Sequence, residues 1–286
     1  MKILVAGGSG FIGSHLLPAL VSAGHETYNL SRNISGVAVA GVTSIRCDLA
    51  QLSSCDLPQV EVIVHLAQSN IRFPEGADDL LTINCTSAVK LALAGIAQGA
   101  RKFIYASTGN VYGLSPIPAA ESAPLLGGSF YAESKIAAER MLGELRSRIN
   151  LDILRVFSPY GPGQQSFRLI PDVINRVREG RPVSVRENGM PKLSPLYVDD
   201  AVEAILKRLA ASDALTINLA GDEVLSIETM ARDAAQWLGK SPVFESLVDG
   251  MTGGIAGRNE LLHQVLGRAP LPWAQGLQRY LHSLES

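Results

Sequence analysis

A tyrosine and a lysine four residues apart, in the run Tyr131-Ala132-Glu133-Ser134-Lys135, carry the clearest chemistry in this sequence. Positions i and i+4 share one face of a helix, so a helix opening here brings the two side chains together. A free phenol has a pKa of about 10 and is a poor base at neutral pH. An ammonium held beside it stabilises the phenolate and lowers that pKa. The pair can then take a proton from an alcohol or give one to a carbonyl. Upstream, Thr108 follows a strand-like run, Lys102–Ser107. A hydroxyl at a strand C-terminus is suited to hydrogen-bond the reacting oxygen and orient it toward Tyr131. Ser107 is the other candidate for that role, and a turn residue satisfying its own backbone is the structural alternative for Thr108.

Proton transfer between alcohol and ketone needs a hydride partner, and the N-terminus offers a place for one. An apolar run, Lys2–Ala6, leads into Gly7-Gly8-Ser9-Gly10-Phe11-Ile12-Gly13 and then an apolar helical stretch. Glycines at 7, 10 and 13 permit a tight turn, close approach of backbone to a pyrophosphate, and close packing of helix on strand. The helix start adds free N–H groups and a partial positive charge. Strand, glycine turn and helix in this order indicate a dinucleotide cofactor, NAD or NADP, held by Gly7, Gly10, Phe11, Ile12 and Gly13. At the end of the second strand, where NAD-binding folds usually have an acid, the chain has Ser31-Arg32, which favours NADP. Asp48, followed by Leu49, is placed either to bond the adenine amino group or simply to cap a helix.

The elements that must hold these residues alternate. Predicted strands are Lys2–Ala6, Glu26–Leu30, Ser44–Cys47, Val60–Leu66, Lys102–Ser107 and Leu151–Phe157. Between them, Phe11–Ala23, Leu80–Gln98 and Tyr131–Arg148 have helical apolar spacing, the last with a stripe of Ile136, Met141, Leu142 and Leu145. This alternation predicts an α/β fold: a Rossmann-type, doubly wound parallel sheet. The nucleotide-binding domain is expected over 1–158. Residues 159–286 read as a smaller, mostly helical substrate-binding lobe that closes over the cofactor. Its helices are expected at Arg168–Glu179, Val198–Ala211 and Ser226–Leu238, and a strand at Leu215–Leu219 rejoins the sheet.

The chain of 286 residues has a net charge of −2 and no block of basic residues, which argues against nucleic acid or an anionic membrane as partner. No stretch approaches the roughly 20 apolar residues of a membrane helix, and the apolar start is too short for a signal-peptide core. Cys47, Cys55 and Cys85 show no CxxC spacing and read as free thiols in a reducing compartment, so a cytoplasmic location is expected. The five histidines lack metal-ligand spacing, and no metal is expected.

Together these motifs resemble the extended short-chain dehydrogenase/reductase family, specifically its nucleotide-sugar epimerase/dehydratase branch. Besides the glycine turn and the Tyr131–Lys135 pair, the resemblance rests on Val64-His65-Leu66-Ala67, Asn84, and Ser107-Thr108 before Val111-Tyr112-Gly113. Arg155-Val156-Phe157-Ser158-Pro159-Tyr160-Gly161-Pro162 and Tyr197-Val198-Asp199-Asp200-Ala201 complete the set. The resemblance implies that Thr108 is the active-site hydroxyl, Tyr131 the acid/base, and Lys135 also a ligand of the nicotinamide ribose. It implies that Leu66, Ala67 and Pro159 line the cofactor and that Arg258 contacts the substrate diphosphate. His65 matches a structural strand-end position. A homodimer is implied too, pairing the helix of the Tyr–Lys motif with the one near Leu80–Gln98.

Three departures bear on the reaction. Dehydratases of the family have Asp-Glu after the active-site threonine, whereas this chain has Gly109-Asn110, which argues against water elimination. Ser158 stands where many epimerases contact the sugar nucleotide through asparagine. Lys192-Leu193-Ser194-Pro195 replaces a common arginine-containing segment. Asn110, Ser158 and Lys192 are therefore the expected substrate contacts that would set this chain apart. A nucleotide-sugar 4-epimerase is the leading expectation, with an NADPH-dependent 4-keto reductase second. A cofactor-binding regulatory protein without turnover is the alternative from another class.

Overall fold

The computed structural model describes residues 1–32, 39–71, 73–248 and 250–285. Seven strands, β1 (Lys2–Ala6), β2 (Glu26–Ser31), β3 (Val42–Arg46), β4 (Val62–His65), β5 (Lys102–Thr108), β6 (Asn150–Val156) and β7 (Thr216–Leu219), form one parallel sheet. Their order is β7-β6-β5-β4-β1-β2-β3. Every residue of β4 and β5 is buried, which explains their lack of polar alternation. Ala6 pairs with Leu30 on one side and His65 on the other, and His65 pairs with Tyr105. The C-terminal ends of β1, β2, β4 and β5 thus line one edge. The strand order reverses at β1, and that is where an open parallel sheet leaves a crevice for a ligand.

The helices α1 (Phe11–Ser22), α2 (Ala77–Leu81), α3 (Ser87–Ala97) and α4 (Phe130–Gly143) follow the expected alternation. α2 and α3 are joined by a π-helical turn, Thr82–Thr86. The run Ala77–Ala97 is 21 residues, long and apolar enough to cross a membrane by length and composition, which corrects the expectation that no stretch comes near that length. Much of that apolarity is used inside the fold: Leu80, Ala88, Leu91 and Ala92 lie in the core with Phe103, Tyr105 and Leu142. In α4, Ile136 and Leu142 are buried but Met141 is 50% exposed. Five residues separate Met141 from Ile136, about 140° around the helix, so the two cannot share a stripe.

A second correction concerns the cysteines. Cys47 and Cys55 are not free thiols but form a disulfide, their Cα atoms 5.7 Å apart. The short 3-10 helix Leu49–Ser54 between them turns the chain back, so a spacing without a motif becomes a close approach. Cys85 is a buried free thiol.

The chain divides into two compact units. The first comprises Met1–Val111, Leu125–Arg155 and Val202–Ile217; the second comprises Tyr112–Pro124, Val156–Ala201 and Asn218–Ser286. The first carries most of the sheet. The second contains α5 (Leu169–Glu179), the start of α6 (Val198–Arg208), α7 (Ile227–Leu238), α8 (Glu260–Leu266) and α9 (Trp273–Ser283). Its core includes Tyr160, Tyr197, Trp273, Leu277 and Tyr280.

Candidate active site

Gly127 and Gly128 have φ of +63° and +105°, values that suit glycine, and they turn the chain into α4. Ser129 caps the helix by accepting the Ala132 N–H at 3.1 Å. Tyr131 is therefore the second residue of the helix, and Lys135 stands one turn further on. Lys135 is fully buried. Its Nζ donates to the Ala106 carbonyl at 2.8 Å and lies 4.8 Å from the centre of the Tyr105 ring. Burial pushes the ammonium down to about 7, and the nearby Glu139 carboxylate opposes that shift. The Tyr131 hydroxyl donates to Gln68 Oε1 at 2.9 Å.

Thr108 closes β5 and is buried; its Oγ1 accepts the Asn110 N–H at 3.3 Å, the turn contact anticipated as the structural alternative. Ser107 is committed elsewhere, donating its hydroxyl to Glu139. Glu139 in turn accepts Nε and Nη2 of Arg155, the closest contact being 2.7 Å. Tyr131, Lys135 and Glu139 are spaced at i, i+4 and i+8 on α4. The last two are pinned to successive residues, Ala106 and Ser107, at the end of β5.

A second network centres on Asn84, fully buried in the π turn. Its amide accepts the Ser69 N–H at 2.8 Å and donates to both the Ser69 carbonyl and Ser134 Oγ at 3.0 Å. Ser134 Oγ donates to the Tyr131 carbonyl at 2.8 Å, and the Tyr105 hydroxyl donates to the Asn84 carbonyl at 2.7 Å. Beside it, His65 is wholly buried with neither ring nitrogen partnered, and desolvation holds its pKa down to about 3.

The glycine turn fits a dinucleotide. A Cβ on Gly7 (φ +89°) would stand 2.5 Å from the Ala67 nitrogen, and one on Gly13 would stand 2.4 Å from the Gly7 carbonyl oxygen. This backbone is packed as closely as a phosphate-cradling turn requires. α1 starts at Phe11 with no side-chain cap, leaving the first-turn N–H groups of Phe11, Ile12 and Gly13 for an anion. Leu66 and Ala67 both donate their N–H groups to the Ala6 carbonyl, at 2.8 and 2.9 Å, which sets this segment against Gly7. Ser9 and Ser31 hydroxyls meet at 3.0 Å, joining the turn to the end of β2, while Arg32 is exposed. Asp48 caps the 3-10 helix through Ala50 N at 3.0 Å, and the Leu49 side chain is in the core.

The remaining expected residues lie in the second unit. Ser158 has φ +37°, the only non-glycine residue with positive φ among those described. Asparagine adopts that conformation more readily than serine. Pro159 pairs, within Pro159–Tyr160, with Leu196–Tyr197. Lys192 is exposed, and Arg258 is paired with Glu260 at 2.6 Å. Sequence reasoning missed Gln68, Ser134 and Glu139. Glu139 had a signal, a charged residue on the buried face of a helix, while Gln68 had only its place directly after Leu66-Ala67.

Residues 3–220 match the NAD dependent epimerase/dehydratase family. Among characterised proteins, the chain is 25% identical to mouse dTDP-D-glucose 4,6-dehydratase, over 97% of this chain and 87% of that protein. It is 30% identical to UDP-glucose 4-epimerase from Mycolicibacterium smegmatis, over 72% of each. Among solved structures, UDP-glucose 4-epimerase from Thermotoga maritima, bound to UDP-glucose, superimposes with a TM-score of 0.88 at 24% identity, covering 100% of this chain and 99% of that one.

Proposed function

Since the chain belongs to the NAD dependent epimerase/dehydratase family of enzymes, we propose that it is a nucleotide-sugar 4-epimerase with Tyr131 as acid/base. The observation that carries this reading is Lys135, buried one turn from Tyr131 and bonded to the end of β5 at Ala106. A bound nicotinamide supplies a reversible hydride sink. Tyr131 accepts the C4 hydroxyl proton as the C4–H electron pair leaves, and the alcohol becomes a ketone. After the sugar presents its other face, Tyr131 returns the proton to the C4 oxygen as that pair comes back. The Lys135 ammonium favours the phenolate during the interval and holds the nicotinamide ribose. Thr108 orients the C4 oxygen. Gly7, Gly10, Phe11, Ile12 and Gly13 hold the pyrophosphate, and Leu66, Ala67 and Pro159 line the cofactor. Asn110, Ser158, Lys192 and Arg258 contact the substrate. Gly109-Asn110 stands where dehydratases carry an acid and a base, so elimination lacks its proton carriers.

A second reading, an NADPH-consuming 4-keto reductase, is favoured by Ser31 and Arg32 at the end of β2. A guanidinium there suits a 2′-phosphate, and the sequence Tyr28-Asn29-Leu30-Ser31-Arg32-Asn33 contains no acid for a 2′-hydroxyl. One assay separates the two. Purified protein is incubated with a panel of uridine and thymidine diphosphate sugars, and both products and nicotinamide absorbance are followed. Epimerisation gives C4-inverted product with no net change in reduced cofactor; reduction consumes NADPH in proportion to product. Tighter NADP(H) than NAD(H) binding, reduced or reversed in Arg32→Asp, supports the reductase. Turnover near wild type in Tyr131→Phe would remove Tyr131 from either mechanism.

A further inference from the structure

The hydroxyl of Tyr131 has a partner outside its own helix. It donates to the side-chain oxygen of Gln68, 63 residues earlier in the chain, at 2.9 Å. This contact is anchored on both sides. One residue beyond Gln68, both backbone polar groups of Ser69 are held by the buried Asn84 amide. The same amide donates to Ser134, which bonds the Tyr131 carbonyl. Loop and helix therefore hang from one side chain, and the separation of Gln68 from Tyr131 is set by the fold.

We infer that Gln68 is a further catalytic residue: by accepting the Tyr131 proton in a hydrogen bond, it sets the pH at which that phenol ionises. The inference rests on Tyr131 being the acid/base of the proposed function. An acceptor at the phenol oxygen favours the protonated form, the state that delivers a proton to the ketone. Lys135 acts in the opposite direction. Two neighbours pulling the phenol in opposite senses keep it able to give a proton as well as to take one. Besides Lys135, the ionisable groups on the helix of Tyr131 are Glu133, Glu139 and Arg140. The elements packed on α4 add Asp78 and Asp79 from α2, Cys85 from the π turn, Lys90 from α3, and Lys102 and Tyr105 from β5. All of them are unchanged by substitution at 68, and Gln68 is exposed, so replacing it opens no core.

The test is an ultraviolet titration of phenolate absorbance in the full chain without added nucleotide. Wild type, Gln68→Leu and Gln68→Glu are each measured with and without Tyr131→Phe, so that subtraction isolates one tyrosine of seven. Losing the acceptor in Gln68→Leu should lower the Tyr131 midpoint by about half to one pH unit, and the carboxylate of Gln68→Glu should raise it by about one. Midpoints unchanged in both variants, or moved in the same direction, overturn the role of Gln68. A wild-type Tyr131 that never titrates overturns it together with the acid/base reading. Loss of turnover in Tyr131→Phe with unmoved midpoints leaves the acid/base reading standing and removes Gln68 alone.

Discussion

His65 shows at the scale of one residue how burial separates chemistry from packing. Its ring lies among Phe103 and Tyr105, with centroids 6.2 and 5.7 Å away, and neither nitrogen has a partner. Desolvation keeps it neutral down to about pH 3, with the charge of Lys135 adding to the effect. The unfolded chain takes up that proton near pH 6.5, so the stability tied to a neutral His65 is intact above 6.5. It is lost as pH falls toward 3, on the order of 5 kcal/mol over the whole window. His65→Phe keeps the ring contacts and removes the titration. Urea unfolding at pH 7 and pH 4.5 should show a smaller acid loss in the variant than in wild type. Equal losses would mean that His65 gains water access and charges in place.

At the scale of elements, α4 is docked on the sheet through charge as well as apolar contact. Glu139 takes a proton donor from β5, Ser107, and a paired guanidinium from β6, Arg155, with both charged groups buried. Breaking such a pair leaves a charge uncompensated, whereas removing both partners does not. Glu139→Gln should therefore cost about 3–5 kcal/mol in denaturant unfolding, and the double replacement Glu139→Leu with Arg155→Met should cost clearly less. A double variant as unstable as the sum of its singles would mean that the two groups act independently. The separations explain what could be read beforehand. Tyr131 and Lys135 lie within one helix, where covalent geometry alone puts them together. The partners of Glu139 are 32 and 16 residues away, and only the packing of α4 against two strands brings them in.

At the scale of the molecule, the first unit leaves apolar side chains in water along its longest helical run and α4. Leu81, Leu93 and Met141 are 47%, 42% and 50% exposed. Exposed apolar residues on adjacent helices suit a self-complementary face, and we expect a homodimer formed through α3 and α4. Light scattering at micromolar concentration should give twice the chain mass of 30.4 kDa, and Leu93→Glu with Met141→Lys should shift it to the monomer. A monomeric wild type ends the idea.

By itself the sequence determined the alternation of strands and helices, the glycine turn at the switch point and the Tyr–Lys helix. Each is written in residues close along the chain, where hydrophobic period, backbone freedom and i, i+4 spacing act locally. Tertiary structure decided the rest. It committed the Ser107 hydroxyl to Glu139, and it closed Cys47 onto Cys55. It assigned residues 112–124 to the second unit and 202–217 to the first, and it brought Gln68 to the hydroxyl of Tyr131. Contacts of this kind join residues far apart in the chain, and their geometry exists only once the sheet has set its strand order. No local pattern encodes them.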